Sequence, residues 1–442
     1  MKISLRLSSF LLLLVAILPL CACASDLAAQ VTDTKITETK KETEEEKKTH
    51  VWSVPTPLTW KDIDAIPIAT ADMTSDELRK ICVDYFRLQT SFQWTPNKNF
   101  EYVIRSSEKV RNFQAGKYYG GIPYVTSSKG GGNLYLWMEY YDEETGALDL
   151  TRLSGQDLMD LVGNHCAHGA FWGWTRVINS AETRGTKTLT QKNGCLNVGP
   201  YTYDPNLEEF STSDPALGTD KVCADNGEQI MFQSYAKLLP ADGINATHVK
   251  TWHVRMVSQG AHVEYAPDGS IDGEKSYVHC IEQAAKNAQY TASDGTKLNV
   301  MAGIDLKFTF KQLYASGYIP FTFAEFLGTD PVEKSEVTLD LAQNSVTAEE
   351  LQKATVTSNY SISHVTVQAV DEKGEILYRY VKKFVPSDTG GNAILCTSLS
   401  LEKAIIPATL NRYANRDDVK IRLLCRISTG EEPVIYEGNL VK

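Results

Sequence analysis

The sequence predicts an α+β fold, with a mixed helix-and-strand domain over residues 51–330 and a small all-β sandwich over residues 331–442. Two observations favour this division. Up to about residue 330, apolar residues recur at three- and four-residue steps in some segments and alternate with polar residues in others. Beyond that point short alternating segments are separated by turn residues, which is typical of a β-sandwich.

The composition is that of a globular chain with an acidic balance. Of the 442 residues, 44 are basic and 55 are acidic, which gives a formal net charge of −11. A nucleic-acid-binding protein needs a basic face to offset phosphate charge, so no nucleic-acid partner is expected. The length suits two domains that each bury a core. After residue 24 no segment approaches the ~20 continuous apolar residues of a membrane-spanning helix.

The N-terminus has the pattern of an export signal. Lys2 and Arg6 provide a positive start, and the apolar run over residues 7–20 is too short to span a bilayer. Leu20-Cys21-Ala22-Cys23 resembles a bacterial lipoprotein box in which Cys23 is the acylated residue. Ala22-Cys23-Ala24 would instead suit an ordinary signal peptidase.

These features predict a lipoprotein-type signal peptide over residues 1–23. Residues 24–50 are rich in Thr, Lys and Glu and have few large apolar side chains, so this segment is expected to be a disordered, charged tether. The protein would then lie in the cell envelope, anchored by lipid on Cys23 to the outer face of the bacterial cytoplasmic membrane.

Seven cysteines follow the signal and tether: Cys82, Cys166, Cys195, Cys223, Cys280, Cys396 and Cys425. An odd number in an exported chain leaves at least one thiol outside any internal disulfide. Cys195 with Cys223, and Cys396 with Cys425, are two of the pairings that the spacing allows. No CxxC pair occurs, so a zinc ribbon or thioredoxin-like site is not expected.

The individual elements follow from periodicity and capping residues. Residues 75–89 read as a helix that Thr74 or Ser75 can cap. A short helix is expected from Ser154 and Asp157 to Gly163, and a further one from the N-cap Asn164 to about Ile178. Strands are predicted over residues 251–265, 276–283, 362–370, 376–384, 420–428 and 434–440.

Cys166 is the residue best placed for chemistry. It lies in Asn164-His165-Cys166-Ala167-His168, at the predicted start of an aromatic-rich helix. The positive end of a helix dipole and adjacent imidazoles that carry charge both lower the pKa of a thiol and favour the reactive thiolate. A cysteine on such a helix is also a common small core residue, and the periodicity alone does not separate these interpretations.

Two further segments flank this helix in an informative order. Gly120-Gly121-Ile122-Pro123-Tyr124 precedes it, and Trp252-His253-Val254 follows at the start of a predicted strand. This order resembles the NlpC-type cell-wall cysteine peptidases, a branch of the papain-like fold, over roughly residues 72–328. In that family a Gly-x-Pro-Tyr stretch precedes the nucleophile helix, and His-Val at a strand start supplies the base.

The resemblance implies that Cys166 is the nucleophile, that His253 is the general base, and that the backbone N–H of Cys166 helps to form the oxyanion hole. It implies that Tyr124 lies beside the cysteine, and Trp252 would line the substrate cleft. No metal or other cofactor is implied. The family usually has Asp-Cys-Ser-Gly at the nucleophile, whereas this chain has His165-Cys166-Ala167-His168. These extra histidines are surface residues or, in another interpretation, bind a metal with Cys166.

The polar residue that orients His253 should lie on the neighbouring strand. If the hairpin turns at Pro267-Asp268, residue 253 faces residue 282, and this register favours Glu282. A slip of one residue would choose Gln283 instead. Glu282 is equally readable as a solvated carboxylate at a strand end.

Two functions remain open from the sequence. The first is a cysteine hydrolase that cuts amide bonds in peptidoglycan stem peptides, or another cell-envelope peptide, through an acyl-enzyme on Cys166. The second is a catalytically inactive binding or structural protein of the envelope that retains the papain-like fold. Reactivity of the Cys166 thiol toward electrophiles would favour the first function.

Overall fold

The structure is a computed structural model that describes residues 57–103, 110–124, 132–151, 163–179, 185–291, 295, 297–341, 346–383 and 396–442. It confirms a mixed α+β fold. The export signal, Cys23, the tether and the helix predicted from Ser154 lie outside the described residues. Within the described ranges, no helix combines the length and the apolar character needed to cross a bilayer.

The helices and strands are numbered here in chain order. The helices are α1 Trp60–Asp64, α2 Ser75–Ser91, α3 Leu134–Met138, α4 Cys166–Trp174, α5 Thr219–Asn226, α6 Glu228–Tyr235, α7 Phe310–Ala315, α8 Ala324–Leu327, α9 Ala348–Lys353 and α10 Pro407–Leu410. Short 3-10 helices are Thr186–Thr188, Gln191–Asn193, Pro215–Leu217 and Leu401–Lys403. The strands are β1 Gln93–Pro96, β2 Phe100–Val103, β3 Val110–Phe113, β4 Tyr119–Gly120, β5 Ala147–Leu148, β6 Leu196–Asn197, β7 Gly243–His248, β8 Thr251–His262, β9 Tyr277–Thr291, β10 Lys297–Thr309, β11 Ile319–Thr322, β12 Val337–Leu339, β13 Thr355–Ser358, β14 Ile362–Asp371, β15 Ile376–Lys383, β16 Ser398–Ser400, β17 Val419–Ile427 and β18 Val434–Gly438.

A large sheet organises the chain up to residue 330. Its order is β5-β1-β4-β10-β9-β8-β7-β11-β6, and the run from β10 to β6 is antiparallel throughout. The apolar residues of α2 and α4 share a core with Val254, Met256 and Ile281 of the sheet. Those of α5, α6 and α7 share a second core with Val257 and Cys280. Helices therefore pack on both faces of the central strands.

The N-terminal helix of this core forms as its sequence predicts. α2 begins after Thr74, whose hydroxyl accepts from the backbone of Glu77 while the Glu77 carboxylate accepts from the backbone N–H of Thr74. This reciprocal capping box satisfies two backbone donors that a helix start leaves open. Arg79 then ties α2 to the loop before β7, with Nη1 2.7 Å from Oδ1 of the buried Asp242.

The helix that carries Cys166 differs from its prediction at both ends. α4 spans Cys166–Trp174, so the predicted N-cap Asn164 and the predicted end near Ile178 are wrong. The N-cap is His165, whose Nδ1 accepts from the backbone N–H of His168 at 3.3 Å. Asn164 instead forms a parallel bridge with Tyr124, and its backbone N–H donates to the Pro123 carbonyl at 2.9 Å.

Two glycines allow α4 to pack closely against its neighbours. A Cβ on Gly173 would lie 2.9 Å from Cε of Met256 and 3.1 Å from Cβ of Phe86. A Cβ on Gly169 would lie 3.2 Å from Cβ of Gln283. Because real Cβ contacts are rarely that short, a larger residue at either position would force α4 away from α2 and the sheet.

The strands predicted beyond residue 330 are confirmed. β14, β15, β17 and β18 form an antiparallel sheet in the order β15-β14-β17-β18, and β12-β13-β16 form a second antiparallel sheet. The two sheets share one apolar core. The region is not purely β, however, because α9 and α10 also contribute Leu351 and Leu410 to this core. The division at residue 330 stays a prediction.

The C-terminal sheets contact the preceding residues through buried polar groups. The guanidinium of Arg176, just after α4, donates to the carbonyls of Ile66 and Pro67 at 3.1 and 3.0 Å and to the hydroxyl of Tyr135. Gly430, in the β17–β18 turn, lies against it, since a Cβ there would be 2.3 Å from Nη1 of Arg176. Ser428 donates from Oγ to the Thr175 carbonyl at 2.8 Å.

The two cysteine pairings considered from the sequence are wrong. Cys195, Cys223 and Cys425 are buried thiols that form no disulfide. Burial raises the pKa of Cys223 to about 12, and it also raises the pKa of Cys195 and Cys425. These thiols therefore stay protonated at neutral pH and behave as small core residues.

Gly121 sets the path of the chain toward Cys166. Its φ is +65°, in the left-handed region, and a Cβ would lie 2.2 Å from the carbonyl oxygen of Thr90. Its backbone N–H donates to the Phe92 carbonyl at 2.7 Å, and its own carbonyl accepts from Nε1 of Trp94 at 2.9 Å. This segment therefore requires glycine for both its conformation and its close approach to α2.

We expect Gly121→Ala to lower the free energy of unfolding by about 3 kcal/mol, since left-handed strain and the Thr90 contact add. The measurement is urea denaturation followed by tryptophan fluorescence. Gly116→Ala is the matched control, because Gly116 has a φ of +74° but nothing within 4 Å of its Cβ position. It should cost only about 1 kcal/mol. Equal losses in the two variants would contradict the close approach at Gly121.

Candidate functional site

Cys166 is the first residue of α4 and is almost fully buried. Its exposed fraction is 3%. The α4 backbone begins there, so its N–H belongs to the first-turn donors that lack partners within the helix. The placement of the thiol at the positive end of a helix agrees with the sequence prediction.

The adjacent imidazole of His165 does not contribute the positive charge expected from the sequence. Burial lowers the pKa of His165 to about 4, so the ring is neutral at pH 7. Its Nδ1 lone pair is used instead to cap the helix through the N–H of His168. The effect of His165 on Cys166 is therefore structural: it holds the first turn in place.

The two predicted substrate-binding residues, Tyr124 and Trp252, lie on different elements. Tyr124 is adjacent to the start of α4 through its bridge with Asn164, as the resemblance implies, and only 1% of it is exposed. Trp252 is partly buried near the start of β8, opposite Thr247 of β7. Strand alternation directs it to the same face as Val254, which is the face that α4 covers.

His253 and Glu282 form a close pair. His253 Nε2 lies 2.7 Å from Oε2 of Glu282, and both side chains are largely buried. The predicted register was wrong by two residues: Met256 pairs with Ile281, so position 284 lies opposite His253. A shift of two residues keeps a side chain on its face, and diagonal neighbours on one face remain within reach.

Gln283, the alternative from a one-residue slip, lies on the opposite face of β9. Its Nε2 donates to the carbonyls of Ile122 and Met301, and its Cβ packs toward Gly169 of α4. Gln283 therefore braces the Gly121–Tyr124 segment against the sheet, while Glu282 is the partner of His253.

Arg255 completes the group and was missed in the sequence. Its Nε donates to Oε2 of Glu282 at 2.5 Å, the same oxygen that His253 contacts. Its guanidinium lies between two rings, 4.1 Å from the centroid of Phe308 and 4.4 Å from that of Tyr318. The available signal was its position two residues after His253, on the same face of β8.

The electrostatics of this group follow from burial, from the opposite charges of Arg255 and Glu282, and from the hydrogen bonds between the three side chains. Burial favours the neutral form of Glu282, but the charge of Arg255, the charge that His253 carries in acid and the hydrogen bonds from both residues outweigh it and hold the pKa of Glu282 well below its usual range. Burial, aided by the charge of Arg255, lowers the pKa of His253 despite the neighbouring carboxylate. At neutral pH the group is an ionised Glu282, a charged Arg255 and a neutral His253.

The sheet lies between α4 and this group. Val254 and Met256 pack with α4, and successive side chains of a strand point to opposite faces. His253 and Arg255 therefore point to the face covered by α5, α6 and α7, and the contact of Arg255 with Tyr318 agrees with that direction. A hydrogen bond between Cys166 and His253 stays a prediction.

Tyr318 borders this group. Burial raises the pKa of Tyr318; the charge of Arg255 opposes this shift and that of Glu282 adds to it. These effects agree with the close contact between the Tyr318 ring and the Arg255 guanidinium.

The alternative metal site receives no geometric support from the described residues. Among them, no three His, Cys, Asp or Glu side chains are grouped so that they could hold a metal ion. His165 and His168 are close, with ring centroids 5.1 Å apart, but Nδ1 of His165 is occupied by the helix cap.

Replacing Glu282 tests whether its carboxylate stabilises the folded chain through its pairs with Arg255 and His253. Glu282→Gln leaves the buried Arg255 without a counterion and should lower the free energy of unfolding at pH 7 by about 3–5 kcal/mol. Because the pKa of Glu282 is lower in the folded chain than in the unfolded chain, its stabilisation is present above about pH 4.3 and is lost as the pH falls. The difference from the wild type should therefore shrink below about pH 4.

Urea denaturation at several pH values measures this effect. Glu437→Gln is the matched control, because it removes a carboxylate that accepts from Nε of Arg422 at 2.8 Å with both side chains 35% exposed. An exposed pair should contribute only about 0.5 kcal/mol. If Glu282→Gln lowers the free energy of unfolding as little as Glu437→Gln does, then Glu282 is not the counterion of a buried Arg255.

Comparison with known proteins adds no family assignment. No protein-family model, no curated protein and no solved structure matches this chain. The NlpC-type resemblance rests on the order of Tyr124, Cys166 and His253 in the sequence.

Proposed function

We propose that this chain is an exported, lipid-anchored cysteine hydrolase of the cell envelope, with an NlpC-type arrangement of the papain-like fold and Cys166 as its nucleophile. Its substrate would be an amide bond in a peptidoglycan stem peptide. The N-terminal signal pattern with Cys23 supports the location, since lipid on that residue would hold the protein on the outer face of the cytoplasmic membrane, facing the wall.

The observation that carries the proposal is the pairing of His253 with Glu282. A carboxylate only accepts hydrogen bonds, so an ionised Glu282 2.7 Å from Nε2 holds the His253 proton on that nitrogen. Nδ1 then keeps its lone pair, which is the form required to accept the proton of a thiol. The low pKa of His253 further favours this neutral base at pH 7.

The chemistry would proceed through an acyl-enzyme. Because His253 and Cys166 lie on opposite faces of the sheet, this chemistry requires a rearrangement that brings Nδ1 of His253 to the thiol. The Cys166 proton then moves to Nδ1, and the thiolate attacks the amide carbonyl to form a C–S bond. The backbone N–H at the start of α4 stabilises the oxyanion. His253 returns its proton to the leaving amine as the C–N bond breaks. A water molecule, deprotonated by His253, then cleaves the thioester and regenerates the thiol.

A second candidate is a catalytically inactive binding or structural protein of the envelope. Two observations favour it: Cys166 is only 3% exposed, and strand alternation directs His253 away from the face that α4 covers. In that case Arg255, Glu282 and His253 stabilise the packing between the sheet and the second core, and Cys166 is a core residue. The two candidates differ in one property, the reactivity of Cys166.

The deciding experiment compares the full chain with Cys166→Ala on purified peptidoglycan, with released fragments identified by mass spectrometry. Removal of a catalytic nucleophile should reduce fragment release by about 10³-fold or more. Cys425→Ala is the control, since it removes a buried thiol in the C-terminal sheets and should leave release unchanged.

Iodoacetamide labelling measures the reactivity of the Cys166 thiol independently of fragment release. In the proposed hydrolase, Cys166 reacts faster than the buried Cys195, Cys223 and Cys425. No fragment release by the wild type, together with an unreactive Cys166, would reject the hydrolase and favour the second candidate.

A further inference from the structure

We propose that Arg255 is a positioning residue that holds the Glu282 carboxylate in place, so that His253 keeps its proton on Nε2 and presents an unprotonated Nδ1. Its catalytic relevance rests on the proposed function, whereas its effect on the state of His253 can be measured without any hydrolysis. Nothing in the NlpC-type resemblance assigns a role to this arginine.

Two donors converge on one oxygen of Glu282. Nε of Arg255 and Nε2 of His253 both lie within hydrogen-bond distance of Oε2 of Glu282, at 2.5 and 2.7 Å. A carboxylate that accepts from a guanidinium and an imidazole at the same oxygen has little freedom to rotate. The bond from Arg255 therefore fixes the orientation of the Glu282 carboxylate relative to the His253 ring.

Arg255 is itself enclosed by neighbouring side chains. Its guanidinium is stacked between Phe308 of β10 and Tyr318, which precedes β11, and 13% of its side chain is exposed. Strands on both sides of β8 in the sheet order therefore fix the cation. A planar guanidinium suits this sandwich, because it is attracted to the ring faces and still directs an N–H at the carboxylate.

The charge of Arg255 determines which nitrogen of His253 carries the proton. With Arg255 charged, Glu282 remains ionised and can only accept, so the neutral imidazole must donate from Nε2. Without the cation, burial would favour a protonated Glu282, which can donate to the ring and allow the proton to occupy Nδ1. The charge of Arg255 also opposes protonation of His253, while Glu282 favours it.

The test follows the His253 ring by NMR in the full chain with ¹⁵N-labelled histidine, at pH values from 4 to 9. Among the eight histidines of the chain, the resonances of His253 are those lost in His253→Gln. The wild type should show an unprotonated Nδ1 and a protonated Nε2 at pH 7. An Nδ1-protonated ring in the wild type would overturn the proposal without any further variant.

Three substitutions separate an electrostatic role from a packing role. Arg255→Gln removes the cation, so the His253 pKa should rise and both neutral tautomers should appear. Arg255→Lys retains the charge and should restore most of the wild-type behaviour. Glu282→Gln removes the anion and leaves the cation, so the His253 pKa should fall further. General loosening of the site would instead move both Gln variants toward the ordinary imidazole value.

Arg422→Gln is the matched control, because it removes an arginine paired with Glu437 in the C-terminal sheet and should leave the His253 ring unchanged. If Arg255→Gln does not fold, Tyr318→Leu removes one ring of the sandwich and should shift the His253 pKa in the same direction by less. An unchanged His253 in Arg255→Gln, or equal shifts in the Gln and Lys variants, would overturn the proposal. Fragment release measured in parallel tests the proposed hydrolase separately.

Discussion

The close packing of α4 between α2 and the central sheet is the constraint on which the candidate site depends. Gly169 and Gly173 face Gln283, Phe86 and Met256 at distances that leave no space for a side chain. The C-terminal end of α4 is held by Trp174, whose Nε1 donates to the Ala241 carbonyl at 2.7 Å. The glycine contacts and the Trp174 bond together fix the position of α4, and with it Cys166, relative to β8 and β9.

Different polar residues lie on the two faces of the central sheet. On the α4 face, Gln283 bonds to the Ile122 carbonyl and so links the sheet to the segment that leads to Tyr124. On the other face, Glu282 balances Arg255 and contacts His253. Glu282 and Gln283, which are adjacent in β9, therefore contact His253 and the segment before Tyr124, respectively. Removing one partner of a buried ion pair such as Arg255–Glu282 costs more than the pair itself contributes, because the other charge is left uncompensated.

The helices and strands that depend on residues close together in the sequence were predicted correctly. The capping residues Thr74 and Glu77 predict the start of α2, and strict alternation predicts β14, β15, β17 and β18. Prediction failed where tertiary contacts decide between local alternatives. Asn164 and His165 can both cap a helix, and the bridge to Tyr124 removes Asn164 from that role.

The site residues show the same limit. Bulges between Val257 and Gln259 and before His262 shift the register of β8 against β9, and a turn-based estimate cannot include them. The turn-based register chose Glu282 as the residue opposite His253. Glu282 is within reach even though that register is wrong, because a shift of two residues keeps a side chain on the same face. The role of Arg255 depends on Phe308 and Tyr318, which come from two other segments, so no pattern within β8 could predict it.

The contact between Arg176 and Gly430 has a consequence for how this chain can diverge. A Cβ at position 430 would lie 2.3 Å from the guanidinium, so the two positions share one volume even though they belong to distant parts of the sequence. A larger residue at 430 would displace the Arg176 guanidinium from the carbonyls of Ile66 and Pro67. We therefore expect relatives with a larger residue at 430 to carry a different residue at 176. Covariation between these two positions is therefore the signature by which homologues with the same junction between the large sheet and the C-terminal sheets would be recognised.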